Sequence, residues 1–255
     1  MPDITPLETE PVHAPHPPLE AYYHGEEGRR SFVRRIFNET AGDYDRVERM
    51  MAFGSGRWYR RQALVRAGLG PGMEVLDVAV GTGLVAREAV SIVGDPRLVT
   101  GLDPSIGMLR ASSTPLDIVA VQGVAESLPF ESERFDFVSM GFALRHMSDV
   151  SLVFDELHRV LRPGGRACVL EITRPSGVVA HAVLKAYMRG LVPVLARVFA
   201  RHRDTAHLMK YYWDTIDACV PPARVLDGLA AAGFENVSRH VELGIFSEYR
   251  ATRRR

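Results

Sequence analysis

Two carboxylates and two glycines constrain this chain's fold more tightly than any other feature. Val75-Leu-Asp-Val-Ala-Val80 is a short, nearly continuous apolar run that leads into Gly81-Thr-Gly83 and then into helical spacing from Leu84 to Val93. Asp77 sits inside that run, and Asp103 closes the next one, 20 residues beyond Gly83. Apolar runs without a polar face are strands buried on both sides, as in parallel sheets. A strand that turns through glycines into a helix brings its backbone close to a ligand and offers unpaired N–H groups. An acid ending the following strand can accept both ribose hydroxyls of an adenosine. The pattern predicts an α/β, Rossmann-like doubly wound sheet that binds a nucleotide-type ligand.

The same rhythm continues downstream. Leu98–Leu102, Ile118–Val121, Phe135–Met140 and Arg166–Ile172 are apolar runs separated by helical patterns, notably Val150–Leu161, closed by Arg162-Pro-Gly-Gly165. After a helix over Pro222–Ala232, Val237–Leu243 and Ile245–Thr252 are joined by the single Gly244, which predicts an antiparallel hairpin at the sheet edge. That makes seven strands in a single domain over 26–255. N-terminal helices over 30–68 precede the sheet. A helical insert over 177–218 follows the fifth strand, where ligands of such sheets bind, and is expected to act as an acceptor-side lid. Six of the 16 prolines lie within the first 18 residues, with almost no apolar periodicity. Residues 1–25 are therefore expected to be a disordered leader whose removal changes neither stability nor cofactor affinity.

Composition excludes several classes. The 31 basic and 31 acidic residues cancel, which gives no global pull toward nucleic acid. Cys168 and Cys219 are the only cysteines, too few for a four-thiolate metal site, and they suit a reducing cytoplasm. No 18 apolar residues run uninterrupted, so no helix is expected to span a membrane. His202, Asp204 and His207 do not share a helix face and predict no metal.

Gly81-x-Gly83-x-x-Ala86 also fits the dinucleotide fingerprint, which keeps a nicotinamide oxidoreductase open. Two features favour S-adenosylmethionine. Asp77, four residues before the first glycine, suits the ammonium of a methionine moiety and would repel a pyrophosphate. A terminal hairpin in place of a further parallel crossover is the methyltransferase variant of this fold.

The chain resembles the class I methyltransferases of the ubiquinone/menaquinone C-methyltransferase family. The strings that carry the resemblance are Val33-Arg-Arg-Ile-Phe37, Ala41-Gly-Asp-Tyr-Asp45, Gly81-Thr-Gly83, Asp103-Pro-Ser-Ile-Gly-Met-Leu109, Ala125-Glu-Ser-Leu-Pro-Phe130, Phe135-Asp136, Phe142-Ala-Leu-Arg145, Leu161-Arg-Pro-Gly-Gly165 and Ala232-Gly-Phe234. The resemblance implies S-adenosylmethionine contacts at Ala79, Val80, Gly81, Thr82 and Gly83. It puts Asp103 at the ribose, Met108, Val124 and Ala125 around the adenine, and Pro104 among the cofactor contacts. Gly141 would lie beneath the methionine part, and Tyr44 would cap the site. The chain departs from the family at Val80, Leu84, Val124, Gly141 and His146.

The resemblance implies methyl transfer to a small aromatic or prenylated acceptor, with C-methylation of a quinol as the first expectation. O- or N-methylation of a specialised natural product is the alternative. A carbon nucleophile needs an ionised phenol, which Arg145 could hold by charge and His146 could deprotonate, titrating near neutrality. Equally, Arg145 could pair with Asp149 and His146 could be structural. Met188 and Tyr212 are expected to face the acceptor from the insert, with Tyr211, Tyr212 and Trp213 either an aromatic wall or core. The insert's apolar residues Leu184, Met188, Leu191 and Leu195 suit a greasy acceptor or a peripheral membrane contact, and a homodimer stays open.

Overall fold

The computed structural model describes residues 13–51, 55–199 and 204–255. The parallel strands are β1 (Val75–Val78), β2 (Val99–Asp103), β3 (Val119–Gln122), β4 (Phe135–Gly141) and β5 (Leu161–Ile172). They are joined by β6 (Phe234–Glu242) and β7 (Phe246–Arg253) into one seven-stranded sheet in the order β3-β2-β1-β4-β5-β7-β6. β7 runs antiparallel to both neighbours, as the terminal hairpin requires. Every residue of β1 and β2 is buried, because helices cover both faces.

Side-chain alternation divides the core. Leu76 and Val78 of β1 point to the face covered by α5 (Val150–Val160) and α9 (Pro222–Ala231). Val75 points to the face covered by α2 (Gly56–Arg66), α3 (Leu84–Val93) and α4 (Ile106–Leu116).

Two local expectations are corrected. β5 begins at Leu161, directly after α5, so Arg162-Pro-Gly-Gly165 belongs to the strand and not to a helix end. The hairpin turns on two residues, Leu243 (φ +52°) and Gly244 (φ +73°), with Ile245 N–H donating to Glu242 O at 3.2 Å. Both central residues have positive φ, as the right-handed twist of paired strands requires.

The leader is also corrected where it is described. His16 and Tyr23 are buried, and residues 13–23 strap onto the turn at 144–150. His16 Nε2 lies 3.0 Å from Arg145 O and its Nδ1 lies 2.7 Å from Pro17 O. Val150 N–H donates to His13 O, and Arg29 of α1 (Gly25–Met51) donates to His16 O and Met147 O. Proline lowers the entropy lost on ordering, and the strap fixes itself through backbone carbonyls that apolar periodicity does not reveal. The rest of the expected leader, residues 1–12, lies outside the described residues. His16→Ala should now cost about 1–2 kcal/mol of stability, the range for buried hydrogen bonds. Unchanged melting in urea would show that the strap is passive.

The segment after β5 contains α6 (Val178–Lys185), a π-helical turn (Ala186–Leu191), α7 (Val192–Phe199) and α8 (Thr205–Ala218). Pro193 lacks an N–H and crowds the carbonyl four residues earlier, which accounts for the wide turn just before it. Despite the sequence expectation, the helical run Val178–Leu195 is long and apolar enough to cross a membrane by length and composition. Its inner side packs Met188 and Val192 with Tyr211, Trp213, Phe32 and Ile36 into a third core beyond the sheet.

Candidate active site

The turn after β1 owes its shape to positive φ at Ala79 (+55°), Gly81 (+56°) and Gly83 (+84°). Gly83 is the more crowded of the two glycines, because a Cβ there, already strained by its φ, would lie 2.6 Å from Leu116 Cδ1 and 3.0 Å from Ser112 Cβ of α4. Asp103 holds the loop from the neighbouring strand. Its Oδ2 accepts from Gly81 N–H at 2.9 Å and its Oδ1 from Ser105 N–H at 2.8 Å. Helix α1 locks the same corner through Asn38 Oδ1, which accepts from Ser105 Oγ and Gly107 N–H.

The family departures at Val80 and Gly141 have packing reasons. Val80 sits against Gly101, where a Cβ would be 3.0 Å from its methyls. A Cβ on Gly141 would stand 2.5 Å from Val85 Cγ2, so Val85 fills the space that a serine would need.

In front of the loop lies a cavity of about 570 Å³. Tyr44, Ala79, Val80, Gly81, Thr82, Asp103, Pro104, Met108, Val124, Ala125, Gly141, His146 and Tyr212 line it, together with Asp77. Gly83 stands behind the loop and does not line it. Asp77 Oδ1 accepts from Ser139 Oγ at 2.7 Å, whereas Oδ2 is buried without a partner. An orphaned buried carboxylate oxygen fits a cationic ammonium, and it would reject a pyrophosphate. The lining therefore fits S-adenosylmethionine: Asp77 would meet the amino-acid end, Asp103 the ribose, and Met108 and Ala125 would be apolar flanks.

Burial lifts the Asp77 carboxyl to about 7, with Asp103's charge adding to the lift. Burial lifts Asp103 to about 6, against two backbone hydrogen bonds. Both folded values lie above the ordinary 3.8, so the folded protein holds more protons than the unfolded chain between pH 4 and 7. Their contribution to stability is therefore lost as pH rises through that window. Asp77→Asn should raise the Tm of the cofactor-free protein by a few degrees at pH 8, with the gain vanishing near pH 4. The same variant should bind S-adenosylmethionine more weakly at pH 8. A pH-independent Tm difference in scanning calorimetry would contradict this.

Arg145 and His146 lie on a 3-10 turn, Leu144–His146, and the structure corrects the expected partner of the first and the expected titration of the second. Arg145 is fully buried and pairs at 2.6 Å with Glu171 of β5, not with Asp149, which caps α5. Its guanidinium also stacks 4.9 Å over the Tyr212 ring. The pair leaves Arg145 Nε buried without a partner, as the Glu48 pair leaves Arg60 Nε, and both arginines line the smaller of two cavities. His146 lines the large cavity, lies 3.2 Å from Tyr211 Oη and stacks on the Tyr211 and Tyr212 rings. Burial first, and Arg145's charge second, hold its pKa well below the usual value, so it does not titrate near neutrality.

A second cavity of about 150 Å³ adjoins the first. Tyr44, Arg60, Phe142 and Tyr212 line both, and Tyr212 Oη donates to Tyr44 Oη at 3.0 Å. Arg145, Met188, Leu184 and Tyr187 line the second cavity alone. Burial raises the pKa of both Tyr44 and Tyr212, so both hydroxyls stay protonated. Arg60 escaped the sequence reading. It is buried, bonds Glu48 at 2.7 Å, and leaves its Nε buried without a partner. Its only signal in the sequence was an arginine on a face otherwise committed to the core. Among the described residues no His/Cys/Asp/Glu group could hold a metal ion. His202 lies outside the described residues.

The comparisons with known proteins agree with this geometry. The profile of the ubiE/COQ5 methyltransferase family matches residues 24–253. The ubiquinone/menaquinone biosynthesis C-methyltransferase UbiE of Coxiella burnetii is 30% identical over 215 residues, 82% of this chain and 85% of that protein. The Shewanella oneidensis protein of the same name is 30% identical over 216 residues, again 82% of this chain and 85% of that protein. Among solved structures, a methyltransferase of Thermotoga maritima, described as a possible histamine N-methyltransferase, aligns with a TM-score of 0.62 at 20% identity, covering 87% of this chain and 100% of that one. The fold, the orphaned Asp77 and the family match leave no place for a nicotinamide oxidoreductase: the chain belongs to the ubiE/COQ5 family of S-adenosylmethionine-dependent methyltransferases.

Proposed function

We propose that the protein C-methylates a quinol-type aromatic ring carrying a greasy tail, in the cytoplasm. The observation that carries this reading is the second cavity. It is apolar, it meets the cofactor cavity at the Tyr44–Tyr212 pair, and its volume of about 150 Å³ suits one six-membered ring. S-adenosylmethionine, when bound, supplies a methyl on a positively charged sulfur. The protein's own work is positioning. Asp77 and Asp103 fix the two ends of the cofactor, and Tyr44 and Tyr212 exclude water between the cavities. Arg60 offers its free Nε–H to the acceptor oxygen, Glu48 beside it takes the phenolic proton, and the proton that the methylated ring carbon gives up returns to that oxygen or passes to water, which restores the aromatic ring. Met188 and Tyr212 bound the ring from the insert, which serves as the acceptor-side lid.

Methylation of oxygen or nitrogen in a specialised metabolite is the second reading. It is favoured by the Gly141–Val85 packing, which reshapes the cavity floor where the family carries a serine. An anaerobic assay with a reduced and an oxidised quinone, with products mapped by NMR, separates the two readings. Methylation of a ring carbon in the hydroquinone alone is the expected result. Turnover indifferent to reduction, or a methyl on oxygen or nitrogen, would replace the first reading by the second.

A further inference from the structure

We infer that the outer face of the Val178–Leu195 helix, with Trp58 and Leu243, docks the protein on an anionic bilayer surface, with the mouth of the second cavity facing the lipid. The inference rests on the reading that this cavity takes the acceptor ring, and it adds where the acceptor comes from.

The helix shows two opposite characters. Leu184, Tyr187 and Met188 form part of the cavity wall, and Met188 and Val192 are buried in the third core. The outward side is also apolar. Val178 is 85% exposed, and Val179, Val183, Leu191 and Val194 are exposed with it. Five exposed branched aliphatics on one helix are more than solvent exposure alone favours, and they mark an interaction surface.

The cavity rim continues the same surface. Trp58 and Leu243 both line the second cavity, and they are 56% and 75% exposed. Leu243 is doubly costly where it stands. It occupies the first central position of a hairpin turn at φ +52°, where asparagine, aspartate or glycine is the unstrained choice, and it holds a large apolar side chain in water. A lipid surface relieves the second cost.

Charge selects a bilayer over a second copy of the chain. Between Glu171 and Asp204 the sequence carries six basic residues and no acidic one. Lys185, Arg189 and Arg197 are exposed along the helix, and Arg189 retains that exposure although it lies 3.7 Å from Asp214 of α8. A two-fold contact between such faces would oppose like charges, whereas anionic headgroups complement them. The helix lies on the membrane and does not cross it. Only 17% of Val178–Leu195 is buried, but that part holds the third core together, and Lys185 and Arg189 fall in the middle of the run.

The test uses the full chain and sedimentation with vesicles of phosphatidylcholine alone or with about one-third phosphatidylglycerol. The wild type should pellet with the anionic vesicles and release in high salt. The triple variant Val178→Ser, Val179→Ser, Val183→Ser should lose at least tenfold in partitioning, with Tm and S-adenosylmethionine affinity unchanged. Its turnover of a tailless water-soluble quinol should equal the wild type's, while turnover of a long-tailed quinol in vesicles falls. Wild type remaining in the supernatant, or the triple variant pelleting as well as wild type, overturns the inference. So does a wild-type dimer that the triple variant dissociates, or resistance of the bound protein to alkaline extraction. An O- or N-methylated product would overturn the functional reading while leaving vesicle partitioning untouched.

Discussion

Replacing Arg145 by alanine is expected to destabilise the fold by about 3–5 kcal/mol, the range for stranding one member of a buried ion pair. The substitution leaves Glu171, itself buried, with a charge that no other cation meets at hydrogen-bond distance among the described residues. It also removes the guanidinium that stacks on Tyr212. Glu171→Ala should cost a similar amount by stranding Arg145. The pair of apolar replacements Arg145→Met with Glu171→Leu should recover most of the loss, because well-packed apolar groups of similar volume often match a buried pair. Urea denaturation of the four proteins forms a double-mutant cycle. Additive losses in that cycle would show that the two residues act independently. The cycle also governs how activity data are read, since a fall in kcat for Arg145→Ala reports a disturbed cavity wall before it reports chemistry.

Asp103→Ala is expected to weaken S-adenosylmethionine binding by about 1.5–3 kcal/mol, roughly ten- to 150-fold in Kd, the range for hydrogen bonds to a charged group. Two losses combine in it. The ribose loses its acceptor, and the Gly81 and Ser105 N–H groups lose the carboxylate that holds the glycine loop in place. Because Gly81 and Ser105 both line the open cavity, water can reach the two donors, and the folded state should survive. Asp103→Asn, which keeps one acceptor oxygen, should fall between alanine and wild type. Titration calorimetry that finds all three proteins equal in affinity would falsify the ribose assignment.

The order of elements is legible from residue order, because each element is encoded locally. A buried parallel strand needs only a short apolar run, a phosphate- or nucleotide-type turn needs glycines where φ is positive, and a helix needs its 3.6-residue spacing. The seven strands, the antiparallel terminal hairpin and the cavity-lining positions from Tyr44 to Gly141 follow from these rules and the family strings. Tertiary structure alone decided which charges remain available. Arg145 and Glu171 are 26 residues apart, Arg60 and Glu48 come from different helices, and His16 reaches a turn 129 residues away. No local pattern encodes such partners. A charge's chemistry depends on what neutralises it and how much water is removed, and both are set only when distant segments pack. That is why a structural role for Arg145 was legible but its partner, Glu171, was not, and why the proline-rich leader, aperiodic in sequence, turns out where it is described to be a strap held by backbone carbonyls.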